Sequence, residues 1–339
     1  MISIVIPVHN AVRTLGECLQ AIQGSDYTDY EVIVVDDASV DGSAEVARKY
    51  ACRLIPLSEN VGAARAKNIG AKEARGDIIL FTDADVVLQP DTLRIVAGHF
   101  LDPTVAGVVG LLDEKLRYSN FSSHFKNLWM HYTYKRLAES KEAEQGVGVF
   151  LTSIAAIRKE VFEQMGGFDP NYRGASVTED IEFGQRLLSA GHKIRLDSRL
   201  AVEHLKHYSL RGLLRTDFER AFGLTKTWLR KKLDPALRGS GQRYYASVPW
   251  FFMLGVPLAW LLPGFVLLAL WKRQFIWGLV AGCTYVAILL VNAPFLTALR
   301  RARGWFFGLQ SCLFLPLDLW ISGFGVLWAV IDYLRGNRY

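Results

Sequence analysis

The chain has 339 residues, of which 51% are apolar and 21% charged, with 11 prolines. That mix excludes a disordered or low-complexity protein and leaves room for one large domain with an addition, or for two domains. The net charge is only +6, yet ten basic and three acidic residues fall between Lys206 and Arg243, so the rest of the chain carries a slight negative excess. Base gathered in one segment points to a local anionic partner.

Four cysteines, Cys18, Cys52, Cys283 and Cys312, form no CxxC pair and have no histidine cluster around them, which disfavours a zinc site or a disulfide framework. MISIVIPVHN lacks a basic leader and a long apolar stretch, so it reads as a strand of a domain expected to stay in the cytosol.

Taken in order, ISIVIPV (2–8) predicts a strand, and Leu15, Leu19 and Ile22 give helical spacing over 12–23. EVIVV (31–35) predicts a second strand, 43–50 a helix, and CRLIPL (52–57) a third strand. A helix over 63–75, closed by Gly76, leads to a strand at DIILF (77–81). A helix over 91–100 then precedes a strand at VAGVVGLL (105–112). Apolar strands alternating with helices imply an α/β fold with a mostly parallel sheet covered on both faces. Ligands in such sheets sit beyond the carboxyl ends of the strands.

Polar residues gather at those ends. Pro7-Val8-His9-Asn10 follows the first strand, Asp36-Asp37-Ala38-Ser39-Val40-Asp41 the second, and Thr82-Asp83-Ala84-Asp85 the fourth. Asp83 and Asp85 are two apart, so on an extended chain they point the same way. Carboxylates crowded in a crevice suit a hard divalent cation shared with phosphates. Asp36, Asp37 and Asp41 are equally at home as turn and helix-cap residues. Neither GxGxxG nor GxxxxGK[ST] is present, which disfavours a dinucleotide fold and a Walker-type loop.

The composition changes near residue 246. Residues 248–271 and 275–299 are free of charge, and each run is long enough as a helix to cross a core of about 30 Å. A third run, 305–334, contains Pro316, Asp318 and Asp332 and is expected to be a kinked span or partly interfacial. Three spans with the N-terminal domain inside place Arg230, Lys231, Lys232, Arg238, Arg243, Arg300, Arg301 and Arg303 inside. Lys272, Arg273, Arg335 and Arg338 then fall outside, in keeping with the positive-inside tendency; two spans stay open. Residues 206–232 mix bases with Leu, Phe and Trp, as an amphipathic stretch on anionic lipid does, or an ordinary solvated helix.

VIPVHN, VIVVDDASVDGS, ENVGAARAKNIGAKEARGDIILFTDADV, GGFDP and TEDIEFGQRLLSAGHKI, in that order, resemble the family 2 glycosyltransferases of the GT-A fold over about residues 2–210. The resemblance implies inverting transfer of a sugar from a nucleotide-sugar, with uracil the expected base. It places Pro7, Val8 and Asn10 along the nucleotide pocket, Asp37 on the base, and Arg65 near the nucleotide. Asp83 and Ala84 would contact ribose and phosphate, and Asp85 would bind Mg2+ or Mn2+ on the diphosphate. His204 matches a histidine supporting that cation, with His207 a neighbouring competitor. Asp180 would be the general base, Glu179 would shape the acceptor side, and Gly167 lies in the GGFDP loop beside sugar and acceptor. A first-turn role beside the helix dipole, with Thr178 as N-cap, is the plain structural alternative for Glu179 and Asp180.

The chain departs from processive members by reading FERAFGLTKTW where they carry QxxRW, which favours a single addition. Residues 120–137 are unusually aromatic, either for an amphipathic acceptor or as a core helix. The expected organisation is a catalytic domain at 1–205, a basic interface segment at 206–245 and a transmembrane region at 246–339, with catalysis at the cytoplasmic face. The expected acceptor is the hydroxyl of a lipid or lipid-linked molecule. Alternatives are a polyprenyl-phosphate sugar synthase, a non-catalytic nucleotide-sugar-binding scaffold and a nucleotidyltransferase; no nucleic-acid module is recognised.

Overall fold

The structure is a computed structural model that describes residues 1–141, 143, 146–172, 178–233 and 248–339. They divide into two compact units. One holds the described residues of 1–117 and 134–206; the other holds those of 118–133, 207–238 and 247–339.

The first unit is built on an eight-stranded sheet: β1 (Ile2–Val8), β2 (Tyr30–Asp36), β3 (Arg53–Pro56), β4 (Ile78–Phe81), β5 (Val86–Val87), β6 (Val105–Leu112), β7 (Ala155–Arg158) and β8 (Lys193–His204). Their order is β3-β2-β1-β4-β7-β6-β8-β5. The first four strands across the sheet pair in parallel, as their apolar runs predict. β7 runs antiparallel to both β4 and β6, and β5 antiparallel to β8, so the sheet is mixed at the far side. All five expected strands are present; β5, β7 and β8 were not anticipated, because they are short or interrupted by charge. The fold is the expected α/β arrangement, with a mostly parallel sheet on the β3-β2-β1-β4 side.

The helix Ala63–Glu73 lies very close to the sheet. A Cβ on Gly70 would stand 2.4 Å from Val5 Cγ1 and 3.1 Å from Val35 Cγ2, so only glycine allows that approach. This close seat carries Lys67, one turn earlier on the same helix, into the core.

The second unit holds the helices Leu210–Leu233, Trp250–Lys272, Phe275–Val291 and Ala293–Leu334. Two of them, Trp250–Lys272 and Ala293–Leu334, are long and apolar enough to cross a membrane. The run 275–299 is not one span. Its helix stops at Val291, before the buried Asn292, whose Nδ2 donates back to the Ile288 carbonyl at 2.9 Å. Seventeen residues rise only about 25 Å. The last helix is kinked at Gly304, with φ 85° and ψ 177°, rather than at Pro316, which lies inside the helix. The helix Leu210–Leu233 buries Arg220, Lys226 and Arg230, which a simple amphipathic pattern would put outside. The remainder of the basic segment, through residue 245, and the composition boundary near 246 lie outside the described residues.

Candidate active site

The ends of β1, β2 and β4 face the same side because the three strands are parallel and adjacent. Pro7 pairs with Val35 within the ladder, and Val8 closes β1, buried. Asn10 and Ala38, one beyond each strand, both adopt positive φ, 54° and 56°. Such backbone is uncommon outside glycine and is held here by its neighbours. The Asn10 N–H donates to Ser39 Oγ (3.0 Å), and Asn10 Oδ1 accepts from the Val40 N–H (2.9 Å). The two loops are thereby locked together.

Asp36 and Asp41 do turn work: Asp36 Oδ1 accepts from the Ser39 N–H, and Asp41 Oδ1 from the Ser43 hydroxyl. Asp37 is buried, and its two oxygens accept from the N–H groups of Val61 (2.7 Å) and Gly62 (2.9 Å). It therefore ties the β2 end to the loop that starts the helix Ala63–Glu73. Each carboxylate oxygen has a second lone pair, and a nucleobase at Asp37 would have to use those.

Asp83 and Asp85 follow β4. Asp83 Oδ2 accepts from Ser153 Oγ at 2.7 Å, and its carbonyl accepts from Cys18 Sγ at 3.5 Å. Burial, reinforced by Asp85 and then Asp83, pushes the Cys18 thiol up to about 12, so it is a neutral wall of the site. Ala84, between the two acids, is buried. β5 then pairs with the end of β8, setting Val86 opposite His204, and the Leu205 N–H donates to the Asp85 carbonyl at 2.6 Å. This short ladder brings His204 Nε2 to 3.4 Å from Asp85 Oδ2. Burial raises the Asp85 carboxyl, but His204 and Lys206 outweigh it and hold the group below the usual carboxylate range. His207 lies in the other unit, its ring 5.1 Å from that of Tyr118.

A carboxylate oxygen and an imidazole nitrogen at this separation could serve as two protein donors to a small divalent cation. Such cations commonly take one or two protein ligands and complete their shell with phosphate oxygens and water. Among the described residues no group of three or more His, Cys, Asp or Glu side chains is arranged to hold a metal. A cation here would rely on its substrate's phosphates.

A second cluster centres on Lys67. Its Nζ donates to Thr152 Oγ1 at 2.6 Å and to Glu179 Oε1 at 3.0 Å, and all three groups are buried. Burial lowers the ammonium, but Glu179, Asp83 and Asp180 more than compensate, so it remains charged. One buried cation is thus felt by acids from the β4 end and from the helix Glu179–Ser189. Thr152 and Ser153 sit side by side, one on Lys67 and one on Asp83, joining the two clusters.

Glu179 is 3% exposed, whereas Asp180, the next residue, is only half-buried, its Oδ1 accepting from the Ile181 N–H at 2.7 Å. Thr178 stands at the N-cap, as expected, but makes no side-chain cap bond. The GGFDP turn uses positive φ at Gly166 and Gly167. Arg186 donates to the Gly167 carbonyl (2.7 Å) and Arg65 to that of Pro170 (3.1 Å), so Arg65 is anchored to this turn.

The structure therefore pairs Asp85 with His204, sets Asp83 and Asp85 on the same buried Cys18, and relates Glu179 and Asp180 to Asp83 through Lys67. Arg65 and Asp37 carry scaffold contacts of their own. Lys67, Thr152 and Ser153 were missed by sequence reasoning. The available signal was a lysine on the small-residue face of a helix, in line with Ala64, Gly70 and Ala71. Replacing Lys67 with Met takes the buried partner from Glu179. A loss of about 3–5 kcal/mol is expected, to be read as a fall in the chemical-denaturation midpoint; an unchanged midpoint would contradict the pairing.

Residues 3–166 match the family described as glycosyl transferase family 2. Among curated relatives, the chain is 26% identical over 265 residues to the O-antigen chain rhamnosyltransferase WbaN of Salmonella anatum, covering 75% of this chain and 82% of the relative. It is 26% identical over 267 residues to the O-antigen chain rhamnosyltransferase RfbN of Salmonella typhimurium, covering 76% and 82%. Among solved structures, the mannosyltransferase PcManGT from Pyrobaculum calidifontis, in complex with GDP-Man and Mn2+, superposes with a TM-score of 0.60 at 20% identity, covering 98% of this chain and 86% of that one. That last likeness is one of fold.

Proposed function

Since this chain is a family 2 glycosyltransferase, with its family domain at residues 3–166, we propose that it moves a sugar with inversion from a UDP-sugar to the hydroxyl of a lipid or lipid-linked acceptor. The observation that carries the reading is that one unit holds the Asp85–His204 pair, two residues along from Asp83, and sets Asp83, Glu179 and Asp180 around the buried Lys67. Pro7, Val8, Asn10, Asp37 and Arg65 would border the nucleotide, and Asp83 and Ala84 the ribose and phosphate. Gly167 and Glu179 would lie on the acceptor side. Asp85 and His204 would hold Mg2+ or Mn2+. The cation would supply stabilisation of the charge that develops on the departing diphosphate.

The residues divide the work. An incoming hydroxyl is a poor nucleophile until it gives up its proton. Asp180, partly open beside the buried Glu179, would take that proton at a carboxylate oxygen as the acceptor oxygen bonds to the anomeric carbon. Lys67, fixed on Glu179 and within the field of Asp180, would keep Asp180 ionised and in place. Asp83, oriented by Ser153, would hold the donor in line.

Membrane anchoring is supported by two helices of sufficient length and apolarity. We assign them to a transmembrane region from about residue 246, after a catalytic domain at 1–205 and a basic interface segment at 206–245, with catalysis on the cytoplasmic face. The relatives' activity on an O-antigen chain supports a lipid-linked glycan acceptor.

The test is a thermal-shift screen of the purified chain against uridine, guanosine and thymidine diphosphate sugars with Mg2+, Mn2+ or a chelator. A donor at a hundred times its dissociation constant adds about 2.7 kcal/mol of stability, so one sugar nucleotide should raise the midpoint in a cation-dependent way. No shift with any donor would sink the reading.

A further inference from the structure

The second unit buries charge that the proposed reaction does not use. Lys126 Nζ donates to Asp217 Oδ1, and Asp318, buried in the last helix, lies beside both. Arg220 sits on the same helix as Asp217 and is 8% exposed. Its guanidinium carbon is 5.0 Å from the centre of the Trp129 ring, and Lys126 Nζ is 5.0 Å from that same centre. Two cations therefore share one indole.

Their pairing differs. Lys126 has a carboxylate. Arg220 has only the thioether of Met130, 3.4 Å from Nη1, while its Nε and Nη2 are buried with no hydrogen-bond partner. No acidic group among the described residues lies within ion-pairing distance of it. A guanidinium is a permanent cation with five donors in a fixed planar fork, matched to phosphate or carboxylate. Buried charge is ordinarily paired, and one without an anion is costly. Thioether sulfur is a weak acceptor, so the Met130 contact at Nη1 offsets little of this buried charge.

We propose that Arg220 is the anchor of a binding site for a phosphate ester carried on a lipid, with Nε and Nη2 forming a two-point clamp and Trp129 walling the site. The lipid source follows from the unit itself: its apolar helices expose Leu267, Leu270, Trp305, Phe306 and Leu313, a surface suited to acyl or prenyl chains. The inference goes beyond the reading above: it assigns Arg220 to holding a lipid phosphate within the second unit, not to the transfer chemistry.

Native mass spectrometry of the full chain in detergent micelles tests this with three probes: a polyprenyl monophosphate, phosphatidylglycerol and inorganic phosphate. The wild type is expected to retain a lipid phosphate, and Arg220→Gln to bind it about tenfold or more weakly. Preference for the polyprenyl phosphate identifies an acceptor's phosphate, and equal retention of both lipids identifies a membrane headgroup; either supports the site. Equal retention by wild type and Arg220→Gln, or inorganic phosphate binding as well as the lipids, overturns it. Should Arg220→Gln fail to fold, Arg220→Lys decides, because it keeps the charge without the fork: a several-fold loss is expected and unchanged retention overturns the site. Donor binding with Mn2+ is read on the same samples. Donor binding without Arg220-dependent lipid binding sinks this inference alone, whereas no donor binding by the wild type sinks the transferase reading instead.

Discussion

Replacing Asp180 with Asn should lower sugar transfer by about 10²–10⁴-fold, the usual worth of a positioned general base, while donor affinity changes little. The amide is close to isosteric, so the helix start at Glu179 and the Lys67–Glu179 pair stay as they are. What is removed is the proton acceptor. The effect should appear in kcat, because the interaction is made only as the acceptor oxygen loses its proton. The same variant separates the main alternative. A polyprenyl-phosphate sugar synthase has an anionic phosphate as nucleophile and no proton to remove, so Asp180→Asn would then retain most of its activity. Parallel assays with an alcohol acceptor and a polyprenyl phosphate acceptor give a direct reading.

The second large effect is expected at Asp85. Asp85→Asn removes the carboxylate that faces His204 at 3.4 Å and leaves the imidazole alone. A single preorganised charge-stabilising contact is worth about 10²–10³ in rate. Transfer should fall by at least that factor, and the dependence on Mg2+ or Mn2+ should flatten. Asp83→Asn is the informative companion. Asp83 accepts from Ser153 and stands near Cys18 rather than beside His204, so it should weaken donor binding while keeping the cation dependence. A cation response unchanged in Asp85→Asn would contradict the assignment of that residue.

The N-terminal half was readable because its signals are local. Strands such as ISIVIPV, broken only by Ser3, and VAGVVGLL are apolar runs, buried on both faces, and they fold where they were expected. The acid pair after DIILF was visible because two residues on an extended chain share a face. By contrast, β8 mixes charged and apolar residues over Lys193–His204, and β5 is two residues long. Neither has a period to detect, although their pairing brings His204 to Asp85. The resemblance to a family, not the spacing, pointed to that histidine.

Lys67 was hidden for a different reason. Charge within a helix reads as solvent-facing, and only the three-way contact with Thr152 and Glu179, 85 and 112 residues away, reveals it as buried. The apolar C-terminal runs were visible by length, but their helix boundaries were not. A charge-free run says nothing of where Asn292 turns its side chain back onto Ile288, or of the positive φ at Gly304. In the helix Leu210–Leu233 the basic residues read as a surface, while Arg220, Lys226 and Arg230 are buried against other helices and rings.

The central claim is that Asp85 and His204 hold a cation on the donor's diphosphate, next to Asp83. Anomalous diffraction at the manganese edge, from crystals of the chain grown with Mn2+ and UDP, tests it most directly. The account predicts a peak within coordination distance of both Asp85 and His204, bridged to UDP phosphate oxygens. UDP bound with no manganese there, or manganese bound only elsewhere, would contradict it.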